Sequence, residues 1–365
     1  MTNLIPAVLW NDPPDVDAPP QPQPPESKPL GELKRRGANE PTELLRTGFL
    51  CRGGGLLICG PTGIGKSSLA VQMMLCWGIG QECFGIAPTA PLRSLLIQAE
   101  NDDGDLAEMR DGVIDGLNLP PEQAQAALAS VTVSLEDART GLAFTTGTLA
   151  PLLDKHRPDL VWIDPALAYL GGEASAQKDV GGFLRNMLNP LLHQYECGGV
   201  IISHTNKPPS GREKPNWTAG DFAYLGTGSA EWANWARGVL ALRSLGSHEV
   251  FELRAGKRGA RLGWQDKTGA RCYIRHLAHA ERGIFWRDAA EDELPQTGRP
   301  KQHDARELLE LLPDEGLSAS EWQKLAKAEV GFSEAAFHRE RRALEKGKRI
   351  LRSRSSGKWQ PLVDV

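Results

Sequence analysis

From about residue 45 to residue 290 the chain repeats one pattern: a short apolar run, a break of turn residues, then a longer mixed stretch. The runs fall at 56–59, 94–97, 131–133, 160–163, 200–203 and 239–242. Apolar runs bounded by turn residues predict buried strands of a largely parallel sheet. Helix-length stretches at 67–77 and 180–194 lie between some of them. This alternation predicts an α/β fold with a mostly parallel sheet.

The pattern changes at both ends. The first 30 residues hold nine prolines, which remove backbone donors and fix φ, so residues 1–44 are expected to form an extended or disordered tail. Only 4–10, Leu-Ile-Pro-Ala-Val-Leu-Trp, is apolar enough there to dock on a neighbour. A second break, 294–302, reads as a linker after a core spanning 45–293. Beyond it the periodicity predicts helices over 304–312, 320–330 and 333–346, then a β-like tail at 349–352 and 358–362. Three helices and a hairpin within residues 303–365 suggest a small winged-helix-like domain.

The chain has 365 residues, enough for two or three domains, and 42 Lys+Arg against 46 Asp+Glu. That near balance does not exclude nucleic acid, because the charge is unevenly placed. From Phe337 to Lys358 there are nine basic residues and two acidic ones. No run approaches the ~18 apolar residues of a membrane span. The first residues lack the basic and apolar regions of a secretory signal. Six scattered cysteines with no C-x-x-C pair suggest buried thiols in a reducing, cytoplasmic setting.

The chemistry begins at 60–67. Gly60-Pro61-Thr62-Gly63-Ile64-Gly65-Lys66-Ser67, with Ser68 following, fits G-x-x-x-x-G-K-[ST]. It follows an apolar strand and opens a helix, as a phosphate-binding loop must. Its backbone N–H groups would cradle phosphates, Lys66 would reach the β/γ-phosphates, and Ser67 would ligate Mg²⁺. ATP and Mg²⁺ are therefore the expected ligands. Asp164 ends the run 160–163, where a second Mg²⁺-organising carboxylate is expected.

Pro165, not Glu, follows Asp164, so the water-activating base is sought elsewhere. Glu100 ends the strand at 94–97, and a parallel sheet delivers strand C-termini to the crevice that holds the P-loop. It can serve as general base there, or it can cap and charge the helix start at 101–103. His204 ends the run 200–203 and could sense the γ-phosphate.

The ordered set is a P-loop, a Glu after the second strand, an Asp after the third and a polar residue after the fourth. It resembles the RecA-like ATPase core, and most of all the RepA/DnaB-type hexameric replicative helicases of plasmids, phages and other mobile elements. The resemblance covers residues 45–290. Residues 97–102 resemble the family's catalytic-Glu segment, and 202–207 its H-x-x-K sensor. Residues 228–237 resemble its G-S…A-R stretch, whose Arg, here Arg237, is an arginine finger into the neighbouring site. Residues 253–258 resemble a late strand that supplies further basic residues, Lys257 and Arg258, across the interface. The resemblance implies a homo-oligomer, a hexameric ring, that hydrolyses ATP between subunits and moves single-stranded DNA. A surface or intrachain salt bridge is the plainer role for Arg237.

Two long aperiodic stretches, 168–178 and 206–228, correspond to channel-facing loops in such rings. Lys207, Arg212 and Lys214 near Trp217 offer phosphate contacts and a stacking face, or belong to a solvated loop. Arg339, Arg342 and Arg352 in the basic C-terminal stretch suggest duplex or forked DNA, and small modules of this kind also bind proteins such as an initiator or primase. The competing reading is an ATP-switched DNA-binding regulator or a filament-forming recombination ATPase with little unwinding.

Overall fold

The computed structural model describes residues 27–35, 37, 40–205, 228–245, 250–281, 284–294, 305–353 and 356–362. The core strands are β3 (Gly55–Gly60), β4 (Ser94–Gln98), β5 (Val131–Leu135), β6 (Leu160–Asp164), β7 (Gly198–His204), β8 (Gly238–Ser244), β9 (Val250–Lys257), β10 (Ile274–His279) and β11 (Trp286–Asp288). They form one nine-stranded sheet in the order β11-β10-β9-β8-β3-β7-β6-β4-β5. The pairings from β5 to β8 are all parallel, and β9, β10 and β11 add antiparallel. A short pair, β1 (Glu43–Leu45) and β2 (Leu50–Cys51), precedes them. The α/β fold with a mostly parallel sheet is as the apolar runs predict.

Alternating residues of the central strands feed two cores. Leu56, Ile58, Leu96, Trp162 and Val200 pack on one face with α1 (Lys66–Gly78), where Trp77 and Trp162 lie 5.7 Å apart. Leu57, Ile97, Ile163 and Ile201 pack on the other face with Phe144, Phe183 and Leu188 of the helical stretches 141–156 and 177–194. A side chain on Gly55 would meet the Trp235 ring at 2.2 Å, so this glycine lets the ring lie on the strand.

Two expectations need correction. The run 131–133 is not a buried strand: β5 is the sheet edge, with Val133 44% and Leu135 48% exposed. Counting β5, Asp164 ends the fourth strand of the parallel set and His204 the fifth. The stretch 168–178 is also less irregular than expected. A 3-10 turn spans Ala166–Tyr169, the Tyr169 ring stacks on Phe144 at 4.2 Å, and its hydroxyl donates to the Glu136 carbonyl.

The antiparallel extension carries a buried ion triad. Glu252 on β9 lies opposite Arg243 on β8 and two residues from Arg254, so all three share one face. Arg243 donates to Glu252 at 3.0 Å and Arg254 at 2.6 Å. Burial raises the Glu252 pKa, but the hydrogen bonds from Arg254 and Arg243 outweigh it and hold the carboxyl below its ordinary range. Glu252→Gln is expected to cost about 2 kcal/mol, less than a fully buried pair because Arg243 is 29% exposed. Because the pKa is lowered, this contribution is present above the ordinary Glu range and disappears as pH falls through the lowered value. Urea midpoints of the two proteins should differ at neutral pH and converge on acidification.

The C-terminal unit has α-helices at Ala305–Glu310, Ala319–Glu329 and Glu334–Lys346, and an antiparallel pair of Ile350–Arg352 with Trp359–Pro361. Leu317, between the first two helices, exchanges backbone hydrogen bonds with Trp359 in a single antiparallel bridge. Leu308, Trp322, Phe337, Leu344, Ile350 and Trp359 form its own core. No helix among the described residues is long and apolar enough to cross a membrane.

Candidate nucleotide-binding site

β3 ends at Gly60, and α1 opens at Lys66 after a loop whose Gly63 and Gly65 hold φ of 74° and 88°. Only glycine adopts such values without strain, and this curls the backbone into a cradle. A side chain on Gly60 would also strike the Leu242 carbonyl at 2.6 Å. From beneath, β11 braces the loop. Trp286 N donates to Gln72 Oε1, Gln72 Nε2 donates to the Trp286 carbonyl, and Trp286 Nε1 donates to Ser68 Oγ at 3.0 Å. The Trp286 ring lies directly under Gly65. Nothing in the sequence pattern singles out Trp286 or Gln72 for this role.

The parallel register brings the expected residues to one end of the sheet. β7 lies between β3 and β6, with Gly60 opposite His204, and Asp164 lies opposite Gln98. Lys66 Nζ donates to the Pro61 carbonyl at 2.7 Å and sits 3.1 Å from His204 Nδ1. An ammonium can only donate, so Nδ1 accepts and a neutral ring carries its proton on Nε2. That nitrogen is 3.6 Å from Glu100 Oε1, and Thr62 Oγ1 is 3.3 Å from Nδ1. His204 thus bridges the P-loop and Glu100. The Glu100 side chain is 57% exposed.

Asp164 is buried and hydrogen-bonded to Ser67 and to Gln98. Burial raises its pKa, against the hydrogen bonds from Ser67 and Gln98 and the charge of Lys66. Burial lowers that of Lys66, against Asp164. A divalent cation and phosphate oxygens would relieve both groups. The donor set, hydroxyl plus carboxylate beside a glycine-built cradle, fits Mg²⁺ and a nucleotide. Ser67 and Asp164 would hold the cation, directly or through water, while residues Gly60–Ser68 and Lys66 would hold the phosphates.

Gln98 is a residue that sequence reasoning missed. It is buried; its Oε1 accepts from the N–H groups of both Ala99 and Glu100 at 3.0 Å, and its Nε2 donates to Asp164 at 3.2 Å. It sets the turn that carries Glu100 and ties it to Asp164. Gln98→Ala is expected to lower kcat for ATP about 10–100-fold with little change in KM if Glu100 is the base, because it disturbs the turn that carries Glu100 and not the phosphate cradle. Steady-state kinetics at saturating Mg²⁺ would check this split.

Arg237, Lys257 and Arg258 are not brought to this pocket. Gly238 pairs with Leu56, so Arg237 sits at the start of β3, five residues from Gly60 or about 17 Å along the sheet. Lys257 reaches the same end and donates to the carbonyls of Ala233 and Asn234 at 2.9 and 3.2 Å, closing the short helix Glu231–Trp235. Burial lowers its pKa, helped by the charges of Arg258, Arg185 and Arg237. Arg258 donates to the Gly48 carbonyl at 2.9 Å. The side chain of Arg237 is exposed and makes no hydrogen bond or ion pair among the described residues. The helix before it is clamped by Glu231, which is buried and accepts from Arg185, Gln177 and Asn234.

Lys207, Arg212 and Lys214 lie outside the described residues. Arg339, Arg342 and Arg352 are exposed on the C-terminal unit.

A comparison with curated protein sequences gives no match. Among solved structures, the chain is similar to the RadB recombinase (14% identity, 66% of this chain and 92% of that one, TM-score 0.41). It is also similar to a second solved structure, an ATPase domain (11% identity, 66% and 86%, TM-score 0.44). A family model described as AAA domain matches residues 21–210, a span that holds the P-loop, Glu100, Asp164 and His204. With this match and the phosphate-loop geometry at the sheet's C-terminal edge, the chain belongs to the AAA domain family and has a P-loop core.

Proposed function

We propose that this protein is an ATP-driven, ring-forming translocase on single-stranded DNA, a helicase of the RepA/DnaB-type acting in the replication of a plasmid, phage or mobile element. One observation carries the reading: the candidate site is split. Lys66, Ser67, Glu100, Asp164 and His204 converge at one end of the sheet, while an exposed Arg237, with no ion pair among the described residues, projects from the other. Such an Arg cannot reach its own pocket, but stacking copies head to tail would bring it to the next one. Six or so copies related in this way close a ring.

Within one copy, Glu100 would draw a proton from the attacking water, and His204 would hold Glu100 and report on the γ-phosphate through its bridge to Lys66. Mg²⁺, when bound, supplies charge neutralisation at the phosphate oxygens. Arg237 of the next copy would stabilise charge on the transferred group, with Lys257 and Arg258 shaping the surface around it. The stretches after Asp164 and His204 would face DNA in the channel.

The test is ATP hydrolysis with and without a single-stranded oligonucleotide, alongside particle images of the protein with ATP. Rings and DNA-stimulated turnover support the proposal. A monomer whose turnover ignores DNA overturns it in favour of an ATP-switched regulator, a reading to which the basic C-terminal unit would lend itself. Filaments on single strands would favour a recombination ATPase.

A further inference from the structure

The C-terminal unit is divided by charge. Residues 305–334 hold seven acidic and three basic side chains, whereas 335–358 hold nine basic and two acidic. The fold sorts the second set further. On the helix Glu334–Lys346, Phe337, Glu340 and Leu344 form the buried face. Arg341 also turns inward, its guanidinium 5.1 Å from the centre of the Trp359 ring and 5.8 Å from that of Phe337. It ties the hairpin to the helix by cation–π contact. The opposite face carries Ala335, His338, Arg339, Arg342 and Lys346 at helical spacing; the acidic Glu334 and Glu345 lie along its His338 edge, with Glu334 3.9 Å from His338.

Arg339 is paired with the buried Glu340 at 2.7 Å. Arg342, Lys346, Lys348, Arg349, Arg352 and Lys358 form no ion pair among the described residues. Like charges on one small surface repel one another, so this concentration calls for an external anion of matching extent. The stripe from Arg339 to Lys346 runs about 10 Å along an exposed helix. Its hairpin neighbour adds the exposed Arg352, whose Nε also donates to the Gly357 carbonyl.

We infer that this face binds duplex DNA, with the helix Glu334–Lys346 entering the major groove and the strand pair Ile350–Arg352 and Trp359–Pro361 lying on the adjacent phosphates. The major groove is about 12 Å wide and admits one helix. The cations at the helix end and in the hairpin fit the phosphate rows beside it. Single-stranded DNA, by contrast, is usually held by exposed aromatic platforms, and here Trp322, Phe337 and Trp359 are all buried in the unit's own core. The inference stands apart from the motor reading, because it needs no nucleotide.

The test uses the full chain without ATP and fluorescence anisotropy on a labelled duplex of about 24 base pairs, a little over two helical turns, across a salt series. The variant combines Arg342→Ala, Lys346→Ala and Arg352→Ala, exposed sites outside the nucleotide machinery. The control removes equal charge from the core through Arg93→Ala, Arg110→Ala and Lys155→Ala. The variant should lose at least about tenfold in duplex affinity at low salt, and its log–log salt slope should fall by about 3. Its thermal midpoint and single-strand-stimulated ATPase should stay at wild-type levels, as should duplex binding by the control. Unchanged duplex affinity and slope in the triple variant would overturn the inference. So would a wild-type protein that binds duplex no better than the matching single strand, and the surface would then be assigned to an acidic protein. A failure of the motor reading would appear separately, as ATPase indifferent to DNA in every variant.

Discussion

Arg237→Ala should bind ATP as tightly as the wild type yet hydrolyse it about 10³-fold or more slowly, the loss expected when an arginine finger is removed. The geometry makes the experiment unusually discriminating. Arg237 and the P-loop lie at opposite ends of β3, so one chain can lose the proposed finger while keeping its pocket. Lys66→Ala does the reverse, keeping the finger and losing the pocket. Each variant alone should be nearly inactive. Mixed, they should recover part of the wild-type rate, because some interfaces pair an intact pocket with an intact finger. Absence of recovery in a demonstrably mixed assembly would refute action in trans. The Arg237 side chain makes no hydrogen bond or ion pair among the described residues, so its removal should leave the thermal midpoint unchanged and exclude unfolding as the cause.

The second large effect is expected at Glu100. Glu100→Gln keeps the side chain's size and removes its basicity, so turnover should fall about 10²–10⁴-fold while nucleotide binding persists. The alternative role, capping the following helix, predicts a stability loss instead. The fold gives that cap to another residue: the Asp102 side chain accepts from the Asp105 N–H, and Asp105 reaches back to the Asp102 N–H. Chemical denaturation of Glu100→Gln should therefore match the wild type. Single-turnover hydrolysis would separate the two roles directly. A variant with normal turnover would remove Glu100 from the mechanism.

The parts of this architecture that are legible in the sequence are those carried by local pattern. Buried parallel strands need unbroken apolar runs, so β3, β4, β6, β7 and β8 announce themselves. Glycine spacing does the same for the cradle, because Gly63 and Gly65 occupy backbone conformations closed to other residues. The edge strand β5 is easily misjudged because its apolar residues, Val133 and Leu135, look like core residues until the sheet order shows that nothing covers them. Gln98 escapes notice for a different reason. A single amide at a strand end carries no motif, and its importance comes from three hydrogen bonds, one of which crosses to a strand 66 positions away. The difference between Arg237 and its basic neighbours is equally invisible. Lys257 and Arg258 reach backbone carbonyls that only the tertiary fold brings near.

The brace beneath the phosphate loop has a consequence for synthesis. Gln72 and Trp286 are separated by 214 positions, yet they hold each other by two backbone–side-chain hydrogen bonds. At roughly 5–20 residues per second, translation leaves α1 without its partner strand for about 10–40 s. During that interval the nascent chain has its glycine-rich loop but lacks the ring that supports it. The nucleotide pocket thus begins to emerge well before the strand that completes it has been made.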